Sequence, residues 1–130
     1  MMSKKFDEWN EVKQKVEKKE KISIPKEREV YWASIGENIG FEQNGKSELF
    51  TRPVLVLKRF TKNMFFGIPL SSQIKQGSFF YDFELDGEKS NALLVQARIY
   101  DTKRLEKKIG MISKEDFQNL KKKFGELIDV

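Results

Sequence analysis

The sequence predicts a mainly β domain with appended helices, built as a small curled sheet or partly open barrel that a C-terminal helix closes. Two observations support this fold class. Short apolar or alternating runs follow one another between residues 29 and 111, separated by turn residues. After residue 113, apolar residues recur at spacings of three and four, which is typical of a helix. With 130 residues, the chain has the length of one domain.

The first 25 residues predict a charged helical extension and a linker. Four apolar residues recur there at roughly helical spacing: Phe6, Trp9, Val12 and Val16. Pro25 disfavours helix at the residue before it, so the helix ends earlier. We therefore divide the chain into an extension over residues 1–25 and a domain over residues 26–130. The simplest interpretation of the extension is a solvated helix packed on the domain.

The domain begins with two strands that a long loop separates. Glu29–Ile35 alternates between two faces, as strands do. A polar loop with three glycines follows over Gly36–Thr51. Arg52–Lys58 then holds five consecutive apolar residues, the pattern of a strand buried on both faces. Pro53 fits at the start of such a strand because its missing N–H lies outside the ladder.

Later runs predict the rest of the sheet and the closing helix. The expected strands are Asn63–Leu70, Phe79–Leu85, Ala92–Ile99 and a short span around Lys108–Met111 that closes the sheet. Asp86-Gly87 is a turn signal. Ser113 is a good N-cap for the last helix, and the acidic residues of the first turn favour its dipole.

Composition narrows the chemistry that the chain can perform. Because it has no cysteine and no histidine, disulfides are excluded and a zinc site is disfavoured. Any catalysis must use Arg, Lys, Asp, Glu, Ser, Thr or Tyr, and we expect no metal or cofactor. A net charge of +5 with 12% aromatic residues suits RNA, although a solvated basic surface is the more common meaning. No apolar run approaches a membrane span, so we expect a soluble cytoplasmic protein without membrane partners.

Polar side chains interrupt the apolar strands where packing alone would not place them. They are Arg52, the run Ser71-Ser72-Gln73, and the pair Gln96 and Arg98 in the predicted fifth strand. Residues at the ends of adjacent strands can converge at one rim of a sheet. Each also has a structural interpretation. Ser71 could cap a turn, and each arginine could pair with a nearby carboxylate.

Taken in order, the motifs of the chain resemble those of the MazF/PemK toxins. They are Arg28-Glu29-Val30-Tyr31-Trp32, Gly40-Phe41-Glu42-Gln43, Arg52-Pro53-Val54-Leu55-Val56, Pro69-Leu70-Ser71-Ser72-Gln73, Leu93-Leu94-Val95-Gln96-Ala97-Arg98-Ile99-Tyr100-Asp101 and Lys103-Arg104-Leu105-Glu106-Lys107-Lys108-Ile109-Gly110. The resemblance covers residues 28 to about 128.

The resemblance implies an SH3-like β-barrel, a homodimer, and the toxin half of a type II toxin–antitoxin pair with a cognate antitoxin. Such toxins are typically metal-independent endoribonucleases that cut single-stranded RNA, often mRNA, through attack by the substrate's 2′-hydroxyl. On this basis Arg52 and Ser71 are the catalytic residues. The substrate-binding residues implied are Glu42, Gln43, Ser72, Gln73, Gln96 and Arg98, with the RNA groove lined by the Gly36–Thr51 loop.

The chain also departs from the family pattern. Glu29 stands where the usual start has glycine, and Val95 stands where an acidic residue often precedes the glutamine. Glu42 is then the nearest candidate base by motif. Two alternatives stay open: a non-catalytic toxin of the same fold that inhibits a protein target such as DNA gyrase, and a degenerate RNA-binding module. Arg52 with Ser71 favours the nuclease, because a pure binder needs neither.

Overall fold

The structure is a computed structural model, and it describes residues 24–35 and 51–129. The predicted N-terminal helix lies outside the described residues, as do Glu42, Gln43 and nearly all of the Gly36–Thr51 loop.

The described part of the chain forms seven strands, two short 3-10 helices and one α-helix. The strands are β1 (Glu29–Ser34), β2 (Thr51–Thr61), β3 (Met64–Ser71), β4 (Phe80–Leu85), β5 (Glu88–Leu93), β6 (Arg98–Asp101) and β7 (Leu105–Met111). The 3-10 helices are Leu94–Gln96 and Thr102–Arg104, and the α-helix is α1 (Lys114–Leu127). The prediction of a mainly β domain with a C-terminal helix is confirmed.

The strands pair antiparallel in the order β4-β5-β3-β2-β1-β7, and β6 also pairs with β3. β3 therefore has β2 along one edge and two successive strands along the other. Its C-terminal end pairs with β5 through Leu70↔Ala92, and its N-terminal half pairs with β6 through Gly67↔Arg98. This arrangement curls the sheet around β2 and β3.

Strand β2 is buried on both faces, as its apolar run predicts. Leu55 and Leu57 belong to a core beneath α1, which we call the helix-side core. Val54 and Val56 belong to a second core on the other face, which we call the opposite core. The opposite core contains Tyr31, Ala33, Ile35, Val54, Val56, Phe65, Tyr100 and Leu105. Arg52 is two residues before Val54 on β2. Because side chains alternate between the two faces of a strand, Arg52 is directed to the same face as Val54, towards the opposite core.

The prediction of one strand over Ala92–Ile99 is wrong. The chain leaves the sheet after Leu93, turns through the 3-10 helix Leu94–Gln96, and re-enters it as β6. Within this turn the Ala97 amide donates to the Leu94 carbonyl at 3.3 Å. Gln96 therefore lies in a 3-10 helix and Arg98 opens β6, so neither belongs to a fifth strand. Leu94 is fully buried, which explains why the apolar run hides the break.

Local signals at the turn and the helix start are confirmed. Asp86 and Gly87 both have positive φ, 51° and 83°, and connect the paired residues Leu85 and Glu88. At the start of α1, the Asp116 amide donates to Ser113 Oγ at 3.1 Å, which is the N-cap bond. Pro53 is the third residue of β2 rather than the first, and the register with β3 begins at the next residue.

Candidate functional site

Arg52 is a charged side chain in an apolar setting. Only 1% of it is exposed, and it lies beside Ala33 of β1 in the central part of the sheet. Its Nη1 donates a hydrogen bond to the Leu70 carbonyl oxygen of β3 at 3.1 Å. Burial lowers the pKa of Arg52, and its electrostatic interaction with Tyr100 acts in the opposite direction. Guanidinium stays protonated in proteins, so this is a fixed positive charge held at low dielectric.

Ser71 is the last residue of β3 and lies next to Arg52. The Leu70 carbonyl oxygen that accepts the hydrogen bond from Arg52 Nη1 belongs to the residue before Ser71, so Arg52 and Ser71 lie near each other at this end of β3. Ser71 is buried, and its Oγ accepts a hydrogen bond from the Gln73 amide at 3.1 Å. The turn-capping interpretation of Ser71 is therefore correct. Because Oγ is the acceptor in that bond, its O–H can still donate to a ligand.

The segment after Ser71 is held by Asn91, a residue that the sequence did not single out. Asn91 is fully buried on β5, directly across from Ser71. Its Nδ2 donates to the Lys75 carbonyl oxygen at 3.1 Å and to Asp82 Oδ1 at 2.6 Å. One amide therefore fixes the backbone that presents Ser72 and Gln73, both of which are exposed. The available signal in the sequence was the position of Asn91, a polar residue directly before the apolar run Ala92–Val95.

Arg98 lies further along the sheet than the Arg52–Ser71 pair. It pairs with Gly67, four residues before Ser71 on β3, which is about 13 Å at the usual rise of a strand. Its guanidinium carbon lies 4.9 Å from the centre of the Tyr100 ring. The structure therefore brings Arg52, Ser71, Ser72 and Gln73 together at one end of β3, and places Arg98 beside its middle.

Tyr100, which interacts electrostatically with Arg52, was not singled out by the sequence analysis either. It is 3% exposed in the opposite core, and its ring stacks on Phe65 with centroids 5.4 Å apart. In sequence it is one aromatic residue in a β-like run, and nothing local distinguishes it from a core residue. Val95, where the resemblance implies an acidic residue in the family, is 57% exposed in the 3-10 helix.

A cleft of about 400 Å³ lies on another part of the surface, beside β4 and the start of α1. It is lined by Ile74, Gln76, Asp82, Phe83, Glu84, Lys89 and Asp116. Three of these side chains are carboxylates and only one is a lysine, so the cleft is negatively charged and disfavours binding of a polyanion such as RNA. Across residues 24–35 and 51–129, no group of three or more acidic side chains lies where it could hold a metal ion. Within the same residues, none of the helices has the length and apolar character needed to span a membrane.

Comparison with known proteins identifies related sequences and folds. The family model described as PemK-like, MazF-like toxin of type II toxin–antitoxin system matches residues 26–128. No curated protein sequence matches the chain. Among solved structures, MazF from Deinococcus radiodurans superposes with a TM-score of 0.67 at 21% identity, covering 82% of this chain and 98% of that one.

Two further structures show the same fold at lower identity. The Mycobacterium tuberculosis toxin MazF-mt6 has a TM-score of 0.61 at 14% identity, covering 79% of this chain and 98% of that one. A mycobacterial endoribonuclease in complex with its cognate antitoxin has a TM-score of 0.62 at 8% identity, covering 82% and 96%. The prediction of an SH3-like barrel of the MazF/PemK type is confirmed by these superpositions.

Proposed function

Because the chain belongs to the PemK-like, MazF-like toxin family of type II toxin–antitoxin systems, we propose that it is a metal-independent endoribonuclease that cleaves single-stranded RNA. The observation that carries this proposal is the buried guanidinium of Arg52, anchored on the carbonyl oxygen that immediately precedes Ser71. Because burying a charge costs free energy, a buried arginine at this position favours a use for its charge over simple packing.

The site suits a reaction that develops negative charge on phosphorus-bound oxygens. The RNA 2′-oxygen forms a bond to the adjacent phosphorus, and the bond to the 5′-oxygen of the next nucleotide breaks. The 2′-hydroxyl loses its proton, and the leaving 5′-oxygen gains one. The products are a 2′,3′-cyclic phosphate and a 5′-hydroxyl. Arg52 and the Ser71 hydroxyl would donate to the phosphorane oxygens, a role that preorganised donors at low dielectric fill well.

Arg52 acts in this proposal through its charge rather than as a base. Burial lowers its pKa on balance, but a guanidinium keeps its proton in proteins, so the group stays charged. Glu42 stays the candidate base by motif and lies outside the described residues. Gln43, Ser72, Gln73, Gln96 and Arg98 are proposed to contact the substrate on either side of the scissile phosphate.

The proposed partners follow from the relatives. One similar structure is an endoribonuclease in complex with its cognate antitoxin, and we extend such a partner to this chain. The net charge of +5 would attract an acidic antitoxin segment as well as RNA. We also propose that the toxin is a cytoplasmic homodimer.

The test is cleavage of a long single-stranded RNA by purified protein in EDTA, with Arg52→Gln purified in parallel to reveal contaminating nucleases. We expect cleavage by the wild-type protein alone. The new 5′ ends should accept phosphate from a polynucleotide kinase without prior dephosphorylation, because they are hydroxyls. Cleavage that stops in EDTA, or leaves 5′-phosphates, would contradict the mechanism. Inhibition of DNA gyrase without RNA cleavage would favour the non-catalytic alternative.

A further inference from the structure

We propose that Tyr100 is a positioning residue for Arg52, which it reaches by crossing β3 over Gly67. The inference rests on the proposed function only for its kinetic consequence, because the contact itself can be measured without RNA. It gives a polar role to a side chain that looks like an ordinary member of the opposite core.

The missing side chain of Gly67 opens the path for the tyrosine ring. A Cβ built on Gly67 would lie 2.7 Å from Val54 Cγ1 and 3.0 Å from Tyr100 Cδ2. Tyr100 belongs to β6 and Val54 to β2, so the two side chains meet above the strand that separates them. Val54 is two residues from Arg52 on the same face of β2. The ring therefore extends from β6 towards the arginine.

Two contacts fix the direction of this ring. Phe65, directly opposite Tyr100 in the β3–β6 register, stacks on it with an interplanar angle of 18°. The Arg98 guanidinium lies 4.9 Å from its centre, at a distance typical of a cation–π contact. A ring held in this way confines its hydroxyl to a narrow region. Arg98 would thus influence the site through Tyr100, although it lies about 13 Å along β3 from Ser71.

The electrostatics agree with this geometry. Tyr100 acts on the Arg52 charge in the direction that raises the pKa of the arginine, against the lowering by burial. A buried tyrosine hydroxyl normally finds a polar partner, and the charge of Arg52 is close enough for Tyr100 to act on it. With Nη1 already on the Leu70 carbonyl oxygen, a second restraint would leave the guanidinium plane little freedom to turn. Orientation of this kind affects the rate and not the binding of RNA.

The test removes only the hydroxyl, by Tyr100→Phe. Its matched control is Tyr31→Phe, which removes a hydroxyl from the same core at a site where the partner is Glu29, 2.9 Å away. We expect Tyr100→Phe to lower kcat about tenfold with KM unchanged, and Tyr31→Phe to leave both unchanged. A kcat equal to wild type, a change in KM alone, or an equal loss in both variants would overturn the proposal.

A second measurement needs no activity. In the ¹⁵N-labelled protein, the side-chain Nε–H signal of Arg52 is identified by its absence in Arg52→Lys. We expect this signal to shift and broaden in Tyr100→Phe and in Arg98→Met, and to be unchanged in Tyr31→Phe. If the wild-type protein fails to cleave RNA while these shifts occur, the proposed function fails and the positioning role stands. If the Arg52 signal is the same in all the folded variants, the positioning role fails.

Discussion

Replacing Arg52 with lysine separates the geometry of the guanidinium from its charge. In the structure, one nitrogen of the fork is bonded to the Leu70 carbonyl oxygen at 3.1 Å, so the rest of the fork is aimed by that bond. A lysine keeps the positive charge and most of the buried stem. Its single nitrogen cannot hold the carbonyl and also give a planar pair of donors to a phosphate.

The expected loss can be estimated from these contacts. Removal of one preorganised donor to a transition state costs about 10²–10³ in kcat, or about 2.7–4 kcal/mol. Loss of the bond to Leu70 costs about 1–2 kcal/mol of folding stability, which lowers the melting temperature by roughly 3–8 °C in a domain of this size. The variant should therefore fold and bind RNA, yet cleave it at least a hundred times more slowly.

The assay is single-turnover cleavage of a fluorescent RNA in EDTA, with a melting curve for each protein. Arg28→Lys is the matched control, because the Arg28 Nε also donates to a backbone carbonyl, that of Ile112, at 3.1 Å. Arg28 precedes β1, whereas Arg52 pairs with Ala33 near its end, about 16 Å away along the strand. The control should lose similar stability and keep full activity. Cleavage by Arg52→Lys within threefold of wild type, or an equal loss in the control, would refute the reasoning.

Three further predictions concern Ser71, Glu29 and Gly67. Ser71→Ala should slow cleavage in the same assay while Ser71→Thr keeps it, since only the former removes the hydroxyl; equal losses would argue against a donor role. Burial raises the pKa of Glu29, but hydrogen bonds, chiefly from Lys108 at 2.8 Å, lower it below 4.5 on balance. This stabilisation is present above the unfolded pKa and lost as the pH falls through the folded one. Glu29→Gln should therefore melt lower than wild type at about pH 7, and this gap should narrow as the pH falls below 4.5; a gap that does not change with pH would count against the ion pair. Gly67→Ala should lower the free energy of unfolding by about 1–3 kcal/mol, because its Cβ would overlap Val54; an unchanged melting curve would show that the core can adjust.

The sequence predicted the central strands because their signals are local. Five apolar residues in a row indicated a strand covered on both sides, and β2 does separate the two cores. The break after Leu93 was not predictable in the same way. Leu94 is buried whether it belongs to a strand or to a 3-10 helix, so hydrophobicity cannot tell the two apart. The break exists because β5 and β6 pair with different parts of β3, which is a long-range requirement.

The difference between local signals and long-range pairing also explains which site residues could be identified from the sequence. Arg52 and Ser71 are polar residues at the ends of apolar strands, and that contrast is visible in the sequence. Asn91 and Tyr100 acquire their roles only from pairing. Asn91 matters because β5 places it across from Ser71 and within reach of the Lys75 carbonyl oxygen. Tyr100 matters because a glycine on the strand between lets its ring pass.

The burial of Arg52 is itself an argument for a function at this end of the sheet. An apolar residue of similar volume would fill the opposite core without the cost of desolvating a charge, and exchanges of this kind in other proteins are often neutral or stabilising. The structure instead offsets part of that cost with the hydrogen bond that Arg52 Nη1 donates to the Leu70 carbonyl oxygen. Packing alone does not require this arrangement. A fixed charge near the Ser71 hydroxyl would stabilise a phosphate whose negative charge grows in the transition state. Arg52, whose burial costs the core free energy, is therefore the residue that the proposed chemistry requires.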